Sequence, residues 1–146
     1  MPVTYNNIDG SSKIKSWVTK GIDPELILWS EGFAMDLVRC GLKTNQIRNV
    51  FGEVKRIQLT ANDFLTNEGK IQNKFDEKSI LLLIPKLAYV AKKSKVTIAN
   101  DLKAVLTSGL NAVITGNNTE TKKAYFENFV NVLESILAYH KAHGGE

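Results

Sequence analysis

The sequence predicts an all-α protein, a compact bundle of about five helices. Apolar residues recur at intervals of three and four along most of the chain, which is the spacing of one face of a helix. Helix start and stop signals separate these stretches, the clearest being Asp23-Pro24 before one of them and Gly41 after it. We find no convincing strand pattern, no repeat and no low-complexity tract. A length of 146 residues suits one domain with a sizeable core.

The chain opens with a polar stretch that predicts a mobile N-terminal tail over residues 1–22. Asn6-Asn7 and Gly10-Ser11-Ser12 favour turns and loops, and only a short helical turn is expected around residues 14–18. Residues 23–146 are predicted to form a single helical domain.

The first helix is expected to run from Asp23 to about Cys40. Asp23 is a good N-cap residue, Pro24 suits the first helical position, and Gly41 suits the left-handed position that ends a helix. Cys40 lies at the end of the apolar pattern, so we expect a buried structural thiol.

The second helix, expected from Thr44 or its neighbour to about residue 59, has two distinct faces. The apolar face, which can pack on a core, consists of Ile47, Val50, Phe51, Val54 and Ile57. The opposite face is basic and rich in amides: it consists of Asn45, Arg48, Asn49, Gly52 and Arg56, with Lys55 at its edge. Glycine inside a helix costs about 1 kcal/mol relative to alanine but permits close approach of a ligand or backbone. This face is therefore either a phosphate-binding surface or a solvated helix face with an accidental glycine.

Residues 60–76 are the least regular part of the chain, and residues 77–94 predict a third helix. That helix contains Pro85, which removes a hydrogen bond and clashes with the preceding turn, so we expect it to kink or restart there. A fourth helix is expected over about residues 97–114. The last helix begins at Thr119 or Thr121 and ends before residues 144–145.

The net charge of +4 and the pI of about 9.1 permit a polyanionic partner without requiring one. The basic residues are segregated, as in many nucleic-acid-binding proteins, and a second basic run without acids contains Lys86, Lys92, Lys93 and Lys95. Tyr89 shares a helical face with Lys86 and Lys93. This tyrosine either stacks on a base or belongs to the core and packs against the lysine stems.

Few residues point to catalysis. His140 and His143 lie one turn apart near the C-terminus, no third metal ligand is suggested nearby, and a core or capping role fits them better. The single cysteine has no histidine near it in sequence, and no glycine-rich phosphate loop is present. The sequence therefore predicts no enzyme activity, no metal and no cofactor.

The location is predicted to be cytoplasmic, with no membrane contact. Residues 1–9 lack the cationic start and apolar run of a signal peptide, and the longest apolar run, residues 80–84, is too short to span a bilayer.

Three segments resemble, in order and in spacing, the motifs of one family. Residues 42–51 (LKTNQIRNVF) resemble the motif L-T-x-x-Q-I-R-n, and residues 84–91 (IPKLAYVA) resemble L-x-P-K-L-A-Y-x-A. Residues 129–145 resemble the C-terminal helix F-x-x-x-E-A-I-x-A-Y-H-K. The family is the small helical subunit of type III-A CRISPR–Cas effector complexes, the Csm complexes. Two departures are Lys92-Lys93, where the family often has an arginine, and Ser135 in place of alanine.

The resemblance implies a non-catalytic subunit that stacks in several copies along the effector complex and lines the path of the guide–target duplex. Its implied partners are single-stranded target RNA, the guide–target duplex, other effector subunits and further copies of itself. Base pairing would read the sequence, so contacts with the RNA backbone suffice. Together with the basic faces, this predicts RNA contacts for Asn45, Arg48, Asn49, Gly52, Lys55, Arg56, Lys86, Tyr89, Lys92 and Lys93.

Two other functions are consistent with the residues alone. The protein is then either a helical protein-interaction module whose basic faces bind acidic partners, or a small ribonuclease that uses His140 or His143. Salt-dependent RNA binding separates the first of these from an RNA-binding subunit, and histidine variants test the second.

Overall fold

The computed structural model describes residues 3–61 and 77–145, and within them it contains six helices and one short hairpin. The elements are β1 (Thr4–Tyr5), β2 (Ile8–Asp9), α1 (Gly10–Lys20), α2 (Pro24–Arg39), α3 (Thr44–Ala61), α4 (Glu77–Ser94), α5 (Ile98–Val113) and α6 (Thr119–Ala142). The all-α prediction is confirmed, although the described part has one more helix than expected. Most of the irregular stretch 60–76 lies outside the described residues.

The N-terminal segment differs from the predicted tail. β1 and β2 pair in antiparallel register, Thr4 with Asp9 and Tyr5 with Ile8. Two asparagines at the turn have positive φ (54° and 63°), as a two-residue hairpin of this kind requires. The Tyr5 hydroxyl donates to Asp36 Oδ2 at 2.6 Å, and burial together with that carboxylate raises the pKa of the tyrosine. The hairpin is thus attached to α2.

α1 belongs to the core. Ile14, Trp17 and Val18 occupy positions i, i+3 and i+4 and are buried, and α1 packs against α5 and α6. The indole N–H of Trp17 donates to Asp23 Oδ1 at 3.0 Å, next to the start of α2. The prediction of a mobile tail over residues 1–22 is therefore corrected for its described part, because these apolar side chains lie inside the protein.

The predicted limits of α2 are confirmed. The Asp23 side chain accepts from Leu26 N–H at 2.9 Å, and Pro24 is the first helical residue. Gly41 has φ +90°, and Leu42 N–H donates to Leu37 O at 2.9 Å, so the helix ends in a glycine C-cap. Cys40, however, is exposed rather than buried, because the core side of this last turn is occupied by Leu37.

α4 continues through Pro85 without a break, so the predicted restart is not found. Pro85 has no N–H to donate to the Leu81 carbonyl. Both residues are exposed, so water can reach that carbonyl. α6 packs against α1, α2, α3 and α5, whereas α4 packs against α3 and α5. α3 and α4 therefore lie side by side, and each keeps an exposed face.

Candidate RNA-binding surface

The orientation of α3 follows from its apolar face. Ile47, Val50, Val54 and Ile57 are buried and Phe51 packs against the same core, so the predicted inward face is confirmed. The opposite side of the helix is exposed and carries Asn45, Arg48, Asn49, Gly52 and Arg56. α4 packs on one flank of α3 and α6 on the other.

The beginning of α3 is fixed by a buried histidine. His140 is fully buried, its Nε2 donates to Leu42 O at 2.8 Å, and its Nδ1 lies 3.3 Å from the Thr44 hydroxyl. The carbonyl can only accept, so it fixes a proton on Nε2, and Nδ1 is left to face the threonine hydroxyl. The Gln46 side chain also helps to fix the first turn, because its Oε1 accepts from Lys43 N–H at 3.1 Å. His140 thus links the end of α6 to the start of α3 and has no exposed surface for a reaction.

Gly52 is not required by the protein's own packing. A Cβ at this position meets nothing within 4 Å, and the residue is exposed. Its φ is not positive, so the backbone does not need glycine either. The structure therefore leaves a bare patch at the centre of the basic face.

Glu53 joins the two basic helices. Its Oε2 accepts from Lys86 Nζ of α4 at 3.1 Å and from Arg56 Nη2 at 3.1 Å. The hydrogen bond from Lys86, followed by that from Arg56, lowers the pKa of this carboxyl. The spacing of Glu53 and Arg56 shows in the sequence, but the link to Lys86 spans 33 residues and could not be predicted from it.

A groove of about 320 Å³ runs between α3 and α4. Its lining consists of Asn49, Val50, Glu53, Leu83, Lys86, Tyr89 and Val90. Tyr89 is 66% exposed, so it is not a core residue, and Lys93 Nζ lies 5.9 Å from the centre of its ring. We call the exposed residues around this groove the α3–α4 surface: Asn49, Gly52, Glu53, Arg56, Lys86, Tyr89 and Lys93.

Four predicted residues lie outside this surface. Lys55 points toward α6, where its Nζ pairs with Glu134 at 3.1 Å and lies 5.7 Å from the Phe51 ring centre. Lys92 lines a different pocket, of about 500 Å³, between α4 and α5, together with Lys95 and Lys103. Asn45 and Arg48 are exposed in the first turns of α3, before Asn49, and do not line the groove.

The described residues contain no group of three or more side chains suited to a metal ion. His143 Nε2 lies 3.0 Å from Glu31 Oε2 of α2, and the histidine lines a pocket with residues of that helix rather than the α3–α4 groove. Within the same part of the chain, no helix combines the length and apolarity needed to cross a membrane.

The fold and the surface thus define a small all-helical protein that presents two adjacent basic helices and an exposed aromatic ring. The family model described as Csm2 Type III-A matches residues 24–146, and the chain belongs to that family. This confirms the resemblance of the three motifs and indicates a small subunit of a multi-subunit type III-A CRISPR effector complex. The match begins at the first residue of α2, so the hairpin and α1 lie outside it. Neither the curated proteins nor the solved structures compared with the chain gave a match.

Proposed function

We propose that this protein is a non-catalytic subunit that binds the backbone of target RNA without sequence preference and lines the path of the guide–target duplex. The observation that carries the proposal is the α3–α4 surface, where cations from two helices surround a groove and a bare glycine. Lys86, Arg56 and Lys93 are exposed there, and so is Gly52, one turn before Arg56 on α3. Phosphate contacts of this kind position a strand but carry no sequence information.

The charges on this surface support RNA as its ligand. Among the described residues of this surface, Glu53 is the one acid; it lies between Lys86 and Arg56, and Lys93 is a third cation. Lysine carries a compact charge on a flexible stem, and the guanidinium of arginine matches a phosphate group, so both can contact phosphates without regard to sequence. A surface with so few cations contacts only a few phosphates, and we expect one copy to bind weakly.

Other effector subunits and further copies of the chain are the proposed protein partners. α2 exposes an apolar patch of Ile27, Leu28 and Met35, next to Ile22. On α4, Leu81 and Leu82 are exposed as well. Exposed groups of large apolar side chains commonly mark protein contacts, and these two groups lie on different helices. The cytoplasmic location stays a prediction.

Salt-dependent binding to single-stranded RNA tests the proposal. With about three phosphate contacts, the slope of log affinity against log salt concentration is roughly −2, from about −0.7 per phosphate. Oligomers of different sequence should bind equally, and no RNA should be cleaved. Tight binding to one sequence contradicts this account, and binding that is absent at low salt favours the protein-interaction module instead.

A further inference from the structure

The α3–α4 groove has a floor that does not suit a phosphate. Val50, Leu83 and Val90 give it apolar walls, and its polar side chains in the described part of the chain are those of Asn49, Glu53, Lys86 and Tyr89. A phosphate gains nothing from apolar walls and is repelled by a carboxylate. Arg56 and Lys93 lie outside this lining, and the interior of the groove therefore suits a ligand other than phosphate.

We propose that this groove binds one unpaired nucleobase of the RNA, stacked on Tyr89. The inference rests on the proposed function and specifies which part of the RNA enters the groove. An exposed aromatic ring beside lysines is the arrangement on which bases stack without sequence preference, because every base has a π-face.

The dimensions and chemistry of the groove agree with a base. Its volume of about 320 Å³ is at the lower end of pockets that hold small ligands, about 300 Å³ and above. Tyr89 is two-thirds exposed and lines the groove, and Lys93 Nζ lies 5.9 Å from the centre of its ring, so the ring is accessible to a ligand. The Asn49 amide can both donate to and accept from the edge of a base.

Glu53 also fits a base better than a phosphate. Its carboxylate lines the same groove and accepts from Lys86 and Arg56, which hold it in place. A phosphate oxygen is repelled by this carboxylate, whereas an uncharged base is not. Because paired bases are stacked within a duplex, the groove selects an unpaired nucleotide.

RNA oligomers with and without bases test the inference. We compare a uridine oligomer with the same oligomer carrying abasic positions, using the full chain and the variants Tyr89→Phe and Tyr89→Ala. The abasic oligomer should bind the wild-type protein about 5- to 150-fold more weakly, the range expected for one stacked base. Tyr89→Phe should keep this preference. Tyr89→Ala should bind both oligomers equally, with an unchanged salt slope.

The outcomes separate this inference from the proposed function. If Tyr89→Ala binds both oligomers as the wild type does, while Arg56→Ala and Lys86→Ala weaken binding, the base-binding inference is wrong and the RNA-backbone proposal stands. If Tyr89→Ala instead loses only association with protein partners, the groove is a protein contact and the inference is overturned. If no RNA binds any form of the protein, both proposals fail. Tyr89 is exposed, so its variants should fold normally, which thermal unfolding verifies.

Discussion

At the scale of single residues, Glu53 sets the electrostatic character of the α3–α4 surface. It holds Lys86 and Arg56 beside each other, and these two cations lower the pKa of its carboxyl. Because the pKa is lowered in the folded protein, the ion pairs contribute stability above the usual carboxyl range and lose it as the pH falls through the lowered value. The contribution is small, because exposed ion pairs are worth about 0–1 kcal/mol.

Replacing Glu53 by glutamine should strengthen RNA binding. The change removes the carboxylate charge that faces Lys86 and Arg56, so affinity should rise and the salt slope should become steeper. Glu134→Gln is the matched control, because it removes an equal charge outside the α3–α4 surface. Glu134 lies on α6 and pairs with Lys55 of α3. Filter-binding titrations over a range of salt concentrations measure both. Weaker RNA binding by Glu53→Gln would mean that the carboxylate itself contacts the ligand.

Gly52→Leu tests whether another molecule approaches this residue closely. A Cβ there meets nothing within 4 Å, so the variant should unfold at an equal or higher temperature. Its free energy of unfolding should rise by up to about 1 kcal/mol. Its bulk should nevertheless abolish RNA binding or assembly into the effector complex. Ala104→Leu, on the exposed side of α5, is the control for adding leucine to a helix surface. A Gly52→Leu protein that binds and assembles normally would show that the glycine is incidental.

At the scale of elements, predictions from the sequence succeeded where local signals are strong. Asp23-Pro24 and Gly41 predicted both ends of α2, and the apolar period predicted which side of α3 is buried. α1 was missed because lysines and serines dominate it and only Ile14, Trp17 and Val18 mark its buried face. That face becomes recognisable only once α5 and α6 are known to cover it.

Trp17→Ala distinguishes a core helix from a tail. The indole is fully buried, so its loss should lower the free energy of unfolding by about 3–5 kcal/mol. Lys15→Ala, on the exposed side of the same helix, should change it by less than about 0.5 kcal/mol. Urea denaturation followed by circular dichroism measures both. Equal stability of the two variants would support the tail predicted from the sequence.

At the scale of the whole molecule, the site could be predicted only in part. Periodicity indicated that Arg56 and Lys86 each lie on a basic face, but not that α3 and α4 pack side by side. The same periodicity assigned Lys55 and Lys92 to the site, whereas neighbouring helices draw them to Glu134 and to the α4–α5 pocket. Tertiary packing decides which helix faces combine into one surface. The periodicity of each helix, taken separately, does not reveal that packing.

The apolar patches on α2 and α4 predict how copies associate. Because the two patches lie on different helices, a contact between them is head-to-tail, and copies joined in this way form either a ring or an open chain. Leu28→Glu and Leu81→Glu should each abolish self-association, and an equimolar mixture should form one-to-one pairs and nothing larger. Light scattering over a range of concentrations tests this. A wild-type protein that stays monomeric, or a mixture that never pairs, rules out this contact.

The central claim is that RNA binds the α3–α4 surface rather than basic residues in general, and two matched double variants test it most directly. Arg56→Ala with Lys86→Ala removes two cations from the surface, whereas Lys55→Ala with Lys92→Ala removes two cations from the same helices outside it. We predict that the Arg56/Lys86 double variant loses about 1–3 kcal/mol of RNA-binding free energy and that its salt slope flattens by about 1.4. The Lys55/Lys92 double variant should keep an affinity and a slope near those of the wild type. Equal losses in both, with thermal unfolding unchanged, would contradict the claim.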